Sequence, residues 1–418
     1  MNAEPKPVIP QAPSSSWTDW RAGISRNVLV LGLVSFFTDV SSEMLVPIRF
    51  LFLVRWLGTP LLLAALVEGM AEATSSLLKV LVGKRTDRVN RRAPMILLGY
   101  SLSNFAKPLI GFVQSWLPAL GLVLVDRVGK AIRTAPRDAL IADSVAQQHR
   151  GKAFGFHRSM DTLGAAVGPL LTVLILEWTH NNLPAVFRWT IAPGILAILV
   201  IPILLREPKH EQPVQTANPP SPLALTTPLG WGFWFFTVAW LLFSLGNSSD
   251  AFIFLRSVDI DTQLIQVPLY YAAFNVVYAL AATPFGAFSD KVGRLPLLLT
   301  SLVVFALVYT GWGFASRPWQ TLALFLLYGL YYAATEGIAR AYVVDLVGAN
   351  QRGTAIGWFT ALTGMAMLPA NLMAAYLWDH FGKAAPFLYG AGFAILAAVL
   401  LASGYARLHR LVAQNLMG

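Results

Sequence analysis

Gly83-Lys84-Arg85-Thr86-Asp87-Arg88-Val89-Asn90-Arg91-Arg92 is a polar stretch set between two long apolar runs, and a degenerate copy of it, Gly286-Ala287-Phe288-Ser289-Asp290-Lys291-Val292-Gly293-Arg294, returns in the second half of the chain. Gly83, Asp87 and Arg91 reappear 203 residues later as Gly286, Asp290 and Arg294. A second pattern, Asp143 followed by Arg150, Gly151, Ala153 and Gly155, comes back 202 residues on as Asp345, Arg352, Gly353, Ala355 and Gly357. Two unrelated signatures sharing nearly one offset predict a duplicated unit of about half the chain.

Composition says where such a unit lives. Of 418 residues 56% are hydrophobic and only 12% charged, against roughly 25% charged in a soluble domain. A soluble fold could not cover that much apolar surface. A helix needs about 20 apolar residues to cross a bilayer, and the runs between polar breaks give twelve candidates: 27–54, 60–82, 94–115, 118–142, 153–178, 187–205, 229–256, 268–287, 296–315, 319–345, 353–377 and 386–406. The expected fold is therefore all-α and membrane-integral, with twelve helices in two pseudo-symmetric six-helix bundles. Residues 1–26 read as a cytosolic tail, 27–206 as the first bundle, 207–228 as a proline-rich linker, 229–406 as the second bundle and 407–418 as a second tail.

The net charge of +10 sits largely in short loops between spans, which points to topology and away from nucleic acid. Loops on the side of the termini hold eighteen Lys and Arg, whereas the opposite loops hold five: Arg55, Arg188, Arg256, Arg317 and Lys383. Positive loops stay in the cytoplasm, so both ends are expected there, in a bacterial plasma membrane. Cysteine is absent and the six histidines have no ligand spacing. No metal, no cofactor and no enzymatic nucleophile–base pair is expected.

These residues resemble the major facilitator superfamily over essentially the whole chain. Gly83 to Arg92 is similar to that family's loop motif between spans 2 and 3, with Asn90 where Gly is usual, and Gly286 to Arg294 to its twin between spans 8 and 9. The resemblance implies a cytoplasmic gate made of Gly83, Asp87, Arg88, Arg91, Asp143 and Arg150, and of Gly286, Asp290, Arg294, Asp345 and Arg352, in which loop arginines reach acidic groups near span 4. Arg127-Val128-Gly129-Lys130-Ala131 is similar to the span 4 motif of proton-coupled members, with Lys130 and Ala131 in place of Gln and Gly. Gly164-Ala165-Ala166-Val167-Gly168-Pro169 resembles the span 5 motif of drug–proton antiporters, with Thr172 where the family prefers Gly.

Ionisable residues inside spans cost about 2.5–3.5 kcal/mol each at the helix centre and by default mark a pathway or a pair. Asp39 and Glu43 lie four apart in span 1, as do Glu68 and Glu72 in span 2, so each pair shares one helical face. Asp126, Lys130, Arg133 and Arg137 form a charged stripe along span 4, Lys107 lies in span 3, and Arg158 and Asp161 lie in span 5. The candidates for carrying a coupled proton are Asp39, Glu43, Glu68, Glu72 and Arg127. Arg49, Arg133 or Arg158 is expected to neutralise Asp39, Glu43 or Asp161, with Arg49 in the same span as the first two acids, whereas Glu68 and Glu72 have no cation four residues from either and are expected to share one proton. Ser41-Ser42-Glu43 with Arg49 recurs as Ser248-Ser249-Asp250 with Arg256, offset by 207. Arg49, Lys130, Arg133, Arg158, Asp161, Asn247, Asp250, Tyr271, Asn275 and Glu336 are the candidates for lining a substrate cavity, with Tyr270 and Tyr278 beside them.

The function these features imply is secondary active transport by alternating access. No Gly-rich nucleotide-binding loop is present, so the driving force is expected to be the proton gradient. Efflux of a small amphipathic organic compound by proton antiport is the leading expectation. Proton symport of an anionic solute, such as a carboxylate or a siderophore-like chelate, is the alternative, and a non-transporting receptor or scaffold a remote one. The expected partners are the small solute, protons and the bilayer, and the chain is expected to act as a monomer.

Overall fold

The structure is a computed structural model that describes residues 24–86, 92–146, 149–206, 229–260, 262–348 and 351–417. Asp87, Arg88 and Arg91 of the opening motif lie outside the described residues, as do most of the expected N-terminal tail and the linker.

Sixteen helices fill the described residues. The first bundle consists of α1 (Arg26–Glu43), α2 (Arg49–Leu51) with a π-helical turn (Phe52–Trp56), α3 (Leu61–Thr86), α4 (Ala93–Ile110), α5 (Trp116–Asp143), α6 (Arg150–Trp178), α7 (Leu183–Trp189) and α8 (Ile191–Leu204). The second consists of α9 (Trp231–Gly246), α10 (Ala251–Asp259), α11 (Gln266–Val292), α12 (Arg294–Phe314), α13 (Pro318–Asp345), α14 (Arg352–Phe381) and α15 (Ala385–Ser403), followed by α16 (Tyr405–Met417). Grouped by span, these are the twelve helices of the sequence reading. Nine stretches among the described residues are long and apolar enough to cross a membrane. The first, third and fourth expected spans fall outside that set, and they carry much of the polar chemistry.

Two spans are broken at matching places. The first stops at Glu43, turns through Met44–Ile48 and restarts at Arg49; Pro47, which has no N–H to donate, sits in the turn. The seventh stops at Gly246 and restarts at Ala251, with Asp250 at the cap position. There the free N–H of Ser249 donates to Asn371 Oδ1 at 2.7 Å, so a buried side chain from α14 satisfies the gap. Glu43 and Asp250, the repeated acids, therefore stand at the two breaks. Interrupted helices in corresponding positions of two halves point to the solute site of a transporter fold.

The bundles meet along a seam where α3 packs on α14, α6 on α11 and α2 on α10. Glycine permits the approach at Gly69, where an added Cβ would lie 2.9 Å from the backbone of Leu368. At the face away from the chain ends the seam is closed: the rings of Phe50 and Phe252 stand 5.2 Å apart, and Arg55 reaches Asp259 at 3.9 Å. Toward the face where α1 begins and α8 ends, a Cβ added at Gly151, Gly155 or Gly286 would meet nothing within 4 Å. Those portions of α6 and α11, from opposite bundles, have open space beside their small residues.

Two elements differ from the sequence reading. The sixth span begins at Leu183, because Asn182 caps α7 by accepting from the Ala185 N–H at 3.2 Å. The stretch expected to be a tail from 407 onward lies in α16, whose Leu408, Leu411 and Val412 turn one apolar face to the core while Arg407 and Arg410 stay exposed.

Candidate functional site

The site begins with close packing. α4 and α5 cross where Gly99 and Gly129 face each other, each with the other's carbonyl oxygen 2.7 Å from an added Cβ. That contact brings Arg133, one turn further along α5, onto the ring of Tyr100, with its guanidinium carbon 4.2 Å from the ring centroid. On the opposite side of the first bundle, Gly164 and Gly168 of α6 press on α1 at Asp39 and Glu43; an added Cβ at Gly168 would stand 2.8 Å from Cβ of Glu43. Thr172, in place of the family's Gly, donates its hydroxyl to the Met44 carbonyl at 2.8 Å and so satisfies the broken end of the first span.

Between these helices lies a cavity lined by Glu43, Arg49, Lys107, Asp126, Arg127, Lys130 and Arg133, with Ser42, Ser103 and apolar side chains. Five of those seven charged groups are cations. Lys107, nearly fully buried, donates to Ser42 Oγ at 2.8 Å and to Asn104 Oδ1 at 3.1 Å. Asp126 accepts from Ser103 at 2.5 Å and has Arg127 at 3.6 Å.

The ion pairing differs from the expectation. Arg49 meets Glu68, donating from Nε to Oε1 at 2.7 Å and from Nη2 to Oε2 at 2.5 Å. It was expected to serve Asp39 and Glu43, but the turn at Met44–Ile48 swings it from the α1 face toward α3. Glu68 is buried and fully paired, while Glu72 is exposed and forms no hydrogen bond or ion pair among the described residues. The shared proton expected of Glu68 and Glu72 has no geometric support, since one of the two is held by a guanidinium.

Glu43 has a different partner. Tyr271 of α11 donates to its Oε2 at 3.0 Å, a hydrogen bond that crosses the seam between bundles. Asp250 accepts from Tyr328 at 2.7 Å and from Tyr332 at 3.4 Å. Both break-point acids are thus held by tyrosine hydroxyls and, among the described residues, by no cation within 4 Å. Of the other expected lining residues, Asn275 reaches the Ala165 carbonyl across the seam at 3.4 Å, and Asn247 accepts from Tyr309 at 3.2 Å. Tyr278 donates to Glu336 at 2.8 Å and lies within electrostatic reach of Arg158 of the other bundle. Asp161 lies beside His157 at 3.6 Å. Asp39 forms no hydrogen bond or ion pair among the described residues. The hydroxyl and amide supports Ser42, Ser103, Asn104, Tyr328 and Tyr332 were not singled out from the sequence; they are ordinary residues in apolar helices until a neighbouring helix supplies the partner.

At the loop ends, Arg92 pairs with Asp143, and Arg294 pairs with Asp345 at 2.6 Å while also donating to the Ala341 carbonyl at 3.0 Å. The contact is repeated in the two halves. In the first half it is made by Arg92, one residue beyond the sequence counterpart Arg91. Arg150 donates to the Ala142 carbonyl at 3.2 Å, Arg352 lies within electrostatic reach of Asp345, and Asp290 has Arg294 at 3.3 Å.

The family model of the Major Facilitator Superfamily matches residues 31–264 and 257–411. The chain belongs to the major facilitator superfamily. An uncharacterized MFS-type transporter of Methanocaldococcus jannaschii is 35% identical over 389 residues, covering 90% of this chain and 94% of that one. The class B tetracycline resistance protein of Escherichia coli is 31% identical over 124 residues, 29% of this chain and 30% of that one. Among solved structures, the nucleoside transporter NupG superposes with a TM-score of 0.73 at 13% identity, covering 91% of this chain and 99% of that one. This superfamily member is a multi-pass membrane transporter of the MFS type.

Proposed function

We propose that this MFS protein is a proton-coupled secondary transporter in which the two bundles rock about the seam, that both termini are cytoplasmic in the plasma membrane, and that Glu43 carries the coupled proton. The observation behind this reading is the Glu43–Tyr271 hydrogen bond, which crosses the seam beside the cation-lined cavity. A carboxylate whose partner is a neutral hydroxyl gains or loses a proton without stranding an opposite charge. Rocking of one bundle against the other breaks that bond and changes the side from which the proton arrives.

Cavity charge supports a direction. With Arg49 neutralised by Glu68, four cations still face two acids, so the solute that fits is an anion, and an anion and a proton held in one low-dielectric space stabilise each other. Mutual stabilisation means movement together, hence symport and uptake. A second reading, export by antiport, is supported by Gly164 and Gly168 of the span 5 motif lying against Asp39 and Glu43 and by the partial likeness to a tetracycline resistance protein. In that reading a neutral or cationic solute competes with the proton. Growth of an expressing strain on graded concentrations of toxic organic acids and toxic lipophilic cations separates the two. Symport predicts lowered tolerance to acids and unchanged tolerance to cations; raised tolerance to either class overturns it.

Topology has its own test. A cysteine introduced at Pro220, within the stretch joining the two bundles, should react with an impermeant maleimide only after the membrane is permeabilised. Labelling in intact cells would reverse the orientation.

A further inference from the structure

Arg133 is the group the fold leaves unexplained. It is 3% exposed, yet Nε and Nη1 have no hydrogen-bond partner among the described residues, and the guanidinium is held against the cavity by the Tyr100 ring. Arg127 Nε is likewise buried without a hydrogen bond, its ion-pair partner Asp126 standing 3.6 Å away, and the side chain of Lys130, on the same wall, forms no hydrogen bond or ion pair among the described residues. Buried donors of this kind call for a missing acceptor. The acids nearby are occupied or out of range: Asp126 by Ser103 and Arg127, Glu68 by Arg49, Glu43 by Tyr271, while Asp39 lies within electrostatic reach of Arg133 but forms no ion pair with it.

Across the seam, next to the residues that line the cavity, the packing has another character. Tyr271, the partner of Glu43, begins a ladder with Phe274 and Tyr278 along one face of α11, with successive rings 13° and 15° from parallel. Tyr332 meets the ladder edge-on. The cation-lined cavity and the aromatic ladder beyond it are therefore joined by one hydrogen-bonded pair, Glu43 with Tyr271.

We infer that the cavity takes an aromatic organic anion, its carboxylate or sulfonate anchored by Arg133 with Lys130 and Arg127, and its ring lying toward Tyr271, Phe274 and Tyr278. The inference deepens the symport reading and rests on it. An oxyanion supplies the acceptors that the guanidinium lacks, and charge-assisted hydrogen bonds are the strong kind. A planar ring extends the ladder at offset-stacked or edge-on geometry.

Purified full-length protein in detergent tests this by equilibrium binding of four probes: benzoate, benzenesulfonate, acetate and benzylamine. The expected order is saturable binding of benzoate and benzenesulfonate, weaker binding of acetate and none of benzylamine. Arg133→Gln should weaken benzoate and benzenesulfonate about 10–100-fold, the scale of losing a hydrogen bond to a charged group. Lys130→Gln should cause a smaller loss, and Arg317→Gln in a distant loop none. Should Arg133→Gln not fold, the Lys130→Gln loss and the probe order carry the test. Benzoate affinity unchanged in Arg133→Gln, or in Lys130→Gln where that alone folds, overturns the anchor. Acetate binding as tightly as benzoate removes the aromatic part but leaves anion symport standing. Saturable binding of benzylamine alone, or of no acid, overturns both the inference and the symport reading beneath it.

Discussion

Glu43→Gln is expected to abolish accumulation of solute against its gradient while leaving solute exchange intact. In an electroneutral symport of one proton with one anion, an imposed gradient of one pH unit is worth about 1.4 kcal/mol and supports about a tenfold accumulation. Gln keeps the size of the side chain and still accepts from Tyr271 through its amide oxygen, so the seam contact at 3.0 Å has a substitute. What Gln lacks is a proton to release, so the tenfold ratio should fall to one. Counterflow, in which external solute exchanges for internal solute at constant protonation, should persist. The measurement is uptake of radiolabelled benzenesulfonate, which stays charged and does not leak across lipid, into proteoliposomes with acid outside. Asp39→Asn, Glu68→Gln and Glu72→Gln are run beside it. Full accumulation by Glu43→Gln together with loss in Glu72→Gln would move the proton site to α3 and sink the assignment.

The same pair of acids marks how far sequence reading reached. The duplication was legible because a polar loop in an apolar chain has no other reason to recur, and both copies of the Asp–Arg loop contact exist: Arg92 with Asp143 and Arg294 with Asp345. The one-residue slip between Arg91 and Arg92 was not legible, because spacing within a loop does not say where the next helix starts. Asp87, the carboxylate expected in the gate, lies outside the described residues. Helical periodicity places Asp39 with Glu43 and Glu68 with Glu72, but it compares a residue only with others on its own helix. Partners from another helix are invisible to it, and so Arg49 was assigned to the acids of its own span. The repeated Ser-Ser-acid stretch with Arg six residues on held the missing signal: both copies coincide with breaks, at Met44–Ile48 and at Asn247–Asp250, and a break redirects whatever follows it. Thr172 shows the same effect in reverse, a departure from the family pattern that makes sense only once the free carbonyl of Met44 is seen beside it.

Removing Arg49 should be the most destabilising single change in the first bundle. Arg49 and Glu68 are 16% and 7% exposed and joined by two hydrogen bonds, so Arg49→Ala strands a carboxylate in the packed interface between the first and second spans. Breaking a buried pair from one side costs about 3–5 kcal/mol, because the remaining charge has neither water nor partner. Glu68→Gln should cost less, as a guanidinium can still donate to the amide oxygen and extend toward Glu72, which lies within its electrostatic reach. The decisive variant is the double substitution Arg49→Met with Glu68→Leu. Replacing both charges by apolar side chains of similar volume is often neutral or stabilising, so the double variant should recover most of what Arg49→Ala loses. Unfolding midpoints in detergent measure all three. If the double variant is no more stable than Arg49→Ala, the loss reflects packing at the π-helical turn that follows Arg49 and not a stranded charge. If it recovers stability and still binds benzenesulfonate, the pair is a strut between spans, and the solute's charge is met by Arg133, Lys130 and Arg127 of α5 without Arg49.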